Sequence, residues 1–208
     1  MENSILFNQI TKHLLEYDKP SNYLNSLKNN NVLDKEPFCN LKKLEQINQS
    51  PNHHPEGNVW VHTMMVVDVG AKYKNKTSDP KAFMWTLLLH DLGKLKTTKF
   101  QKGRYTAYDH DKVGEKESEA FLRYFDLSSQ FVTKVKKLVR YHMHLLFVIK
   151  NMPYSDVEGM IKNTNLTDLC YVFFADRSGR GNIEEYNIMQ ISLQIKEFYK
   201  IIKERVPE

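Results

Sequence analysis

The chain has 208 residues, 41% of them hydrophobic and 26% charged, with only 8 glycines and 7 prolines. That is enough for one filled core, and it excludes disordered and fibrous classes. Thirty Lys and Arg against 25 Asp and Glu give a formal net charge of +5, a modest excess that suits a nucleotide, nucleic acid or phosphate ligand and equally a merely soluble surface.

The first fifty residues read as short amphipathic helices. Ile5, Leu6, Gln9, Ile10, His13, Leu14 and Tyr17 recur at helical spacing, and further pieces cover 23–33 and 41–47, separated by an Asn-rich stretch and by Pro37 and Pro51. His62, Val66, Val69 and Tyr73 then form an i, i+4, i+7, i+11 stripe, and Phe83, Leu87 and His90 repeat it on the next helix. Between Leu95 and Tyr108 the run LKTTKFQKGRYTAY loses the helical period and gains β-branched and aromatic residues around Gly103, which predicts a loop or small hairpin. Helical period returns with His110, Gly114, Glu117, Phe121 and Tyr124, and again with Phe131, Val135, Leu138 and His142. After Pro153 and a weaker segment at 154–163, Leu166, Leu169, Phe173 and Asp176 make another inward face, and a closing helix spans 183–202.

The sum is an all-α bundle of about nine helices with a small loop or hairpin near 97–108. It is read as one domain over 1–208, with N-terminal helices (1–50) packed on a core at 52–182 and a C-terminal helix at 183–208. The opening MENSILFNQITKHLLEY has no basic segment followed by an apolar run, and nowhere do about 18 apolar residues run together, so neither export nor a membrane span is expected. Cys39 and Cys170 lie far apart in apolar surroundings and read as reduced core thiols, which implies a cytoplasmic address.

The stripes differ from ordinary amphipathic helices in where they begin and end. His62, His90-Asp91, His110, His142 and Asp176 each put a metal-ligand type at the polar end of an apolar face. Imidazoles and carboxylates are costly to bury unless paired, and a divalent metal is the partner that would use all of them together. Of the two His-Asp dipeptides, His90-Asp91 closes the apolar run FMWTLLL, whereas Asp111 sits amid YDHDK and is expected to face water. Asp91 is the natural bridge between two cations, with His62, His90 and Asp176 completing one set and His110 and His142 the other. Such a centre lowers the pKa of a coordinated water to about 7, for in-line attack on phosphorus. Singly, each histidine is more often a hydrogen-bonded core residue; only jointly do they point to metal. His13, His53, His54 and His144 lack the stripe pattern, and His144 falls about 200° round the helix from His142.

These residues resemble the HD phosphohydrolase superfamily: His62, HDLGK from His90, HDKVG from His110, then Asp176. More locally, HPEGNVWVHT (54–63), HDLGK (90–94) and ADRSGRG (175–181) are similar to the HD domain of bacterial CCA-adding tRNA nucleotidyltransferases, over roughly residues 20–182. The nucleotidyltransferase head, with its Gly-rich loop and paired carboxylates, is absent from these 208 residues, so CCA addition is not expected. The resemblance implies an HD-domain helical bundle that cleaves 2′,3′-cyclic phosphodiesters, nucleoside 2′-phosphates or related phosphomonoesters of nucleotides or RNA ends. It implies metal positions at His62, His90, Asp91 and Asp176, and His110 and His142 match the fuller ligand set of binuclear members. The cofactor is then a divalent metal, two ions in number, with Mn, Fe, Co, Ni or Zn suited to mixed His/carboxylate sets and Mg less so.

Around that centre, Asp91 and Lys94 are the expected catalytic residues. Lys94 would reach a non-bridging phosphate oxygen, and Arg177 or Arg180 would clamp another or pair with Asp176 instead. His54 and Glu56 lie near the entrance in the resembling module and are candidate substrate contacts or acid catalysts. Lys96, Lys99, Lys102 and Arg104 either guide a polyanion or form a plain solvated loop. Trp60 is read as core. A nucleotide or RNA-end phosphate is the expected partner, with no membrane and no obligate protein partner. A 5′-nucleotidase, a dinucleoside polyphosphate hydrolase or a catalytically silent nucleotide- or RNA-binding module are the alternatives.

Overall fold

A computed structural model describes residues 2–181 and 185–205. Twelve α-helical segments follow in chain order: α1 Glu2–Glu16, α2 Pro20–Asn29, α3 Cys39–Lys43, α4 Val59–Ala71, α5 Pro80–Leu89, α6 Lys94–Thr97, α7 His110–Leu122, α8 Ser129–Tyr141, α9 His144–Ile149, α10 Val157–Asn163, α11 Leu166–Ser178 and α12 Glu185–Arg205. Nine of these have seven or more residues, matching the helix number that periodicity gives; α3, α6 and α9 are single short turns. The expected start of the last helix at 183 and the terminal 206–208 lie outside the described residues. No described helix is long and apolar enough to cross a membrane.

The helix starts follow from local chemistry. Asn58, Asp79, Ser128, Asp156 and Asn165 precede α4, α5, α8, α10 and α11, and each side chain accepts from the amide three residues on. Such caps satisfy amides that have no partner inside the helix, at about 1 kcal/mol each. Pro20 and Pro80 open α2 and α5, where a missing N–H removes no helical bond.

Two apolar clusters fill the interior. The larger takes Phe7, Ile10 and Leu14 from α1, the inward faces of α2 and α4, and nearly all of α5, where residues 82–89 are buried without interruption. Phe7 stacks on Trp85 with centroids 4.3 Å apart. The second cluster joins Leu145 and Val148 of α9, Met160 of α10, and Phe198 and Ile202 of α12. Helices α8 and α11 face both: Val135 and Val172 belong to the first cluster, Leu138 and Phe173 to the second. Trp60 is 2% exposed and donates to Asn25, as a core residue should. Cys39 and Cys170 are unpaired thiols.

Between α6 and α7, β1 (Lys99–Gln101) and β2 (Arg104–Thr106) pair antiparallel as a hairpin, with Phe100 opposite Tyr105. Lys102 and Gly103 turn the chain with φ of 50° and 73°, the positive pair that a two-residue hairpin turn requires. The expected face of α7 is shifted by the structure. Tyr124 is exposed, and the helix buries Asp111, Gly114, Ser118, Phe121 and Leu122. Asp111 therefore does not face water. It is 4% exposed and accepts from Arg140 of α8, because Asp109 at φ 57° swings the chain into α7 with position 111 against α8.

Gly93 fixes how closely the turn after α5 approaches α7. A Cβ there would sit 2.1 Å from the His110 carbonyl oxygen and 2.6 Å from the Gly114 nitrogen, both backbone atoms that cannot step aside. Gly93→Ala is therefore expected to destabilise the chain by about 1–3 kcal/mol, the usual range for overpacking. The urea-unfolding midpoint reads this, and an unchanged midpoint would contradict the close approach.

Candidate metal centre

The C-terminal ends of α5, α8 and α11, the N-terminal end of α7 and the flank of α4 meet at one place. His62 comes from α4, His90 and Asp91 lie just past α5, His110 opens α7, His142 caps α8, and Asp176 lies in the last turn of α11. Five of the six are at most 4% exposed, and His110 is half-buried. His62, His90 and Asp91 each offer a ligand atom within 4.8 Å of the others, and so do Asp91, His110 and His142. Asp91 belongs to both groups. Its Oδ2 lies 3.3 Å from His90 Nε2 and 3.9 Å from His62 Nε2, while its Oδ1 lies 3.6 Å from His110 Nε2. One carboxylate oxygen thus faces each half of the site.

Hydrogen bonds at the far side of each ring decide what the near side can do. Nδ1 of His90 lies 2.8 Å from the Leu87 carbonyl, Nδ1 of His110 2.8 Å from that of Ala107, and Nδ1 of His142 2.6 Å from that of Val139. A carbonyl only accepts, so each Nδ1 carries a proton, and in the neutral form of each ring the lone pair is at Nε2. The Nε2 atoms of His110 and His142 face each other at 3.2 Å, and His90 Nε2 is buried without a hydrogen-bond partner. Two lone pairs at that separation repel unless something positive lies beside both. Imidazole nitrogens sharing one cation at about 2.1 Å each sit roughly 3.0–3.4 Å apart, so the residues present fit a divalent metal.

Local electrostatics favour the same occupant. The C-terminal ends of α5 and α8 direct their negative dipole ends at the site. Burial would raise the Asp91 carboxyl, but Lys94 and then His90 outweigh it and hold Asp91 well below the usual carboxylate range. For Asp176 burial is likewise outweighed, here by Arg180 and His62. Burial, with His110 alongside, pushes His142 down to about 4, and burial with Lys94 lowers His110. Both rings are therefore neutral at pH 7, as ligands must be. His62 runs the other way: Asp176 and Glu56 outweigh burial and raise it. Its Nε2 lies 3.1 Å from Asp176 Oδ1, so a proton on this nitrogen and a cation would compete for the same place.

The expected contact residues separate into a cleft and its supports. A cleft of ≈ 190 Å³ above the ligands is lined by His54, Lys94 and Arg180. Lys94 Nζ donates to Asp91 Oδ2 and to Gln49 Oε1, both at 2.7 Å. Arg180 lies 3.5 Å from Asp176 Oδ1 and donates to the His53 carbonyl, whereas Arg177 lines a neighbouring depression instead of the cleft. Glu56 sits behind the ligands, its side chain 2% exposed, accepting at Oε1 from Nδ1 of both His62 (2.8 Å) and His54 (2.9 Å). That contact fixes the tautomer of His62, a supporting role the entrance reading of Glu56 did not contain. Gln49 was missed altogether, for a lone Gln before Pro51 carries no signal until Lys94 is seen beside it. Asp176 has His62 as the one imidazole within 4 Å among the described residues. His144 packs on Tyr141 and Phe147, away from the ligands.

The family model described as HD domain matches residues 59–178. The chain is similar to the Multifunctional CCA protein of Methylococcus capsulatus, 32% identical over 173 residues, covering 80% of this chain and 39% of that one. It is similar to those of Actinobacillus pleuropneumoniae serotype 5b (25% over 170 residues; 79% and 41%) and Haemophilus influenzae (23% over 189 residues; 87% and 45%). The chain thus spans less than half the length of these relatives.

Elemental analysis after loading with Mn or Zn and desalting is expected to give about two ions per chain, falling towards one in His110→Ala or His142→Ala; no retained ion would contradict the fit. Glu56→Gln removes the charge that orients His62 and should weaken affinity roughly 10- to 100-fold. Since a cation at His62 displaces the proton that Asp176 and Glu56 stabilise there, affinity should fall as pH drops through that raised pKa. Chelator competition from pH 8 to 6 checks this, and a flat profile would contradict it.

Proposed function

The chain belongs to the HD domain family of metal-dependent phosphohydrolases, and from that premise we propose that it cleaves phosphoester bonds of nucleotides or RNA ends, 2′,3′-cyclic phosphodiesters first among them. The observation that carries this reading is the convergence of three Nε2 lone pairs and both Asp91 oxygens on one buried spot beneath a cationic cleft. When bound, divalent ions supply Lewis acidity and a water acidic enough to attack phosphorus at neutral pH.

The chain's own residues do the rest. Lys94, held between Asp91 and Gln49, keeps one N–H for a non-bridging phosphate oxygen, where charge grows in the transition state. Arg180, tethered to the loop at His53, lines the same cleft and offers its guanidinium there. His54 is pushed down to about 4 by burial, against the pull of Glu56, and its Nδ1 is engaged by Glu56. A neutral ring with Nδ1 committed accepts through Nε2, so we assign His54 a substrate hydroxyl or attacking water in place of an acid's role.

A substrate panel tests this. With Mn loaded, turnover of bis(p-nitrophenyl) phosphate and 2′,3′-cyclic AMP is expected, abolished by chelator and reduced about 10²–10³-fold by Lys94→Met. Turnover confined to 5′-mononucleotides or diadenosine tetraphosphate would shift the assignment to those esters. RNA binding unaffected by chelator, with no hydrolysis of any ester, would make the chain a silent binding module.

A further inference from the structure

We propose that the β1–β2 hairpin is a landing surface for the 3′-terminal nucleotides of single-stranded RNA, whose end then enters the cleft. This rests on the phosphohydrolase reading above and narrows its substrate to RNA ends, because a 2′,3′-cyclic phosphate exists only where there is a 2′-hydroxyl.

The first observation is where the charge lies. Residues 94–107 hold Lys94, Lys96, Lys99, Lys102 and Arg104 and no Asp or Glu, while the whole chain has a formal net charge of +5. Outside this one segment, positive and negative side chains cancel. Lys94 is bound in the cleft and Lys96 pairs with Glu117. Lys99, Lys102 and Arg104 stand exposed, with no acidic partner within 4 Å among the described residues.

The second observation is which way the hairpin faces. Directly paired residues share a face, so Phe100 and Tyr105 lie on the same side, with rings 4.8 Å apart. Tyr105 and the following Thr106 line the cleft, and the Tyr105 hydroxyl accepts from Asn48 across its mouth. Phe100 continues that aromatic row outward and is 63% exposed. A two-stranded hairpin this short needs a cross-strand contact for its own stability, which accounts for the pairing but not for an open ring at the rim of an anion-binding cleft.

Aromatic faces that stack on successive bases, flanked by cations that track the backbone, are how proteins hold single strands without reading sequence. Here the terminal phosphate would meet Lys94, the next base the Tyr105–Phe100 row, and the backbone phosphates Lys99, Lys102 and Arg104. A mononucleotide held at Lys94 leaves the outer ring and the turn unused. An anionic membrane also takes cations and an exposed Phe, but Phe100 packs on Tyr105, which lines the cleft.

Fluorescence anisotropy of the full chain in chelator, with a labelled eight-nucleotide RNA, tests the surface without any hydrolysis. Wild type is expected to bind, and K99Q/K102Q/R104Q to lower the slope of log K against log salt by about 2, near 0.7 per lost phosphate contact. Phe100→Ala should weaken binding roughly 5- to 100-fold, while both variants turn over bis(p-nitrophenyl) phosphate within about twofold of wild type. RNA affinity unchanged in both variants, or binding to phosphatidylserine vesicles and not to RNA, would overturn the proposal. A wild type that binds RNA through the hairpin yet cleaves no phosphoester would sink the phosphohydrolase reading and leave the landing surface standing.

Discussion

The centre depends on one repeated contact, an imidazole Nδ1 proton given to the carbonyl three residues back. His90 does this to Leu87, His110 to Ala107 and His142 to Val139. At the end of α5 the Leu87 carbonyl is among those a helix leaves without a backbone partner, so the bond satisfies a backbone group and sets the ring's tautomer together. At the end of α8 the Val139 carbonyl accepts from both the His142 amide and its ring. Once the tautomer is set, the inward nitrogens cannot satisfy one another. Their mutual approach at 3.2 Å calls for a positive charge between them, and this makes the cluster a candidate metal centre where three separate buried histidines would not be one.

Holding those ring positions requires a scaffold that does not yield. α5 is buried along almost its whole length, so the residues just past it emerge from fixed core. Asp79 caps its start, and Gly93 lets the following turn lie on the α7 backbone. Gly179 does the same for α11: a Cβ there would meet the Val66 backbone at 2.7–2.8 Å, so α11 can close on α4 and bring Asp176 to His62. The candidate ligands from five helices meet where two glycines permit backbone contact that side chains would prevent.

Most of the candidate ligands were legible because they lie in register with an apolar stripe, and a stripe ending in histidine is a pattern in the sequence itself. The stripe read from His110 is the exception, since α7 buries a face one position round from it. Phe131, Val135, Leu138 and His142 are all buried as the spacing predicts. The hairpin was legible from Gly103 and the loss of helical period. What escaped depends on three-dimensional partners. Glu56 supports His62 only because the 54–58 loop folds back beneath α4, and Gln49 matters only through Lys94. Asp111 looked solvated because its neighbours are polar, yet Arg140, 29 residues on, takes it inside. The direction of the Phe100 ring required strand register, which a sequence of Lys, Thr and aromatic residues leaves open by one position.

Charge at the centre closes the argument about what it accepts. Glu56, Asp91 and Asp176 face Lys94 and Arg180, so with neutral imidazoles the centre holds three negative charges against two positive ones. Within it, Asp176 and Glu56 raise the His62 pKa against burial, and the single excess favours cations. With divalent ions bound by these residues the sign would be reversed, and Lys94 and Arg180 would add to the pull on an anion entering the cleft. Both halves are needed for order of entry: a centre built from lysine and arginine alone would bind phosphate and repel metal. The carboxylates would let cations settle first, and Lys94, tied to Asp91 by a hydrogen bond, would remain in place to meet the phosphate of the proposed substrate.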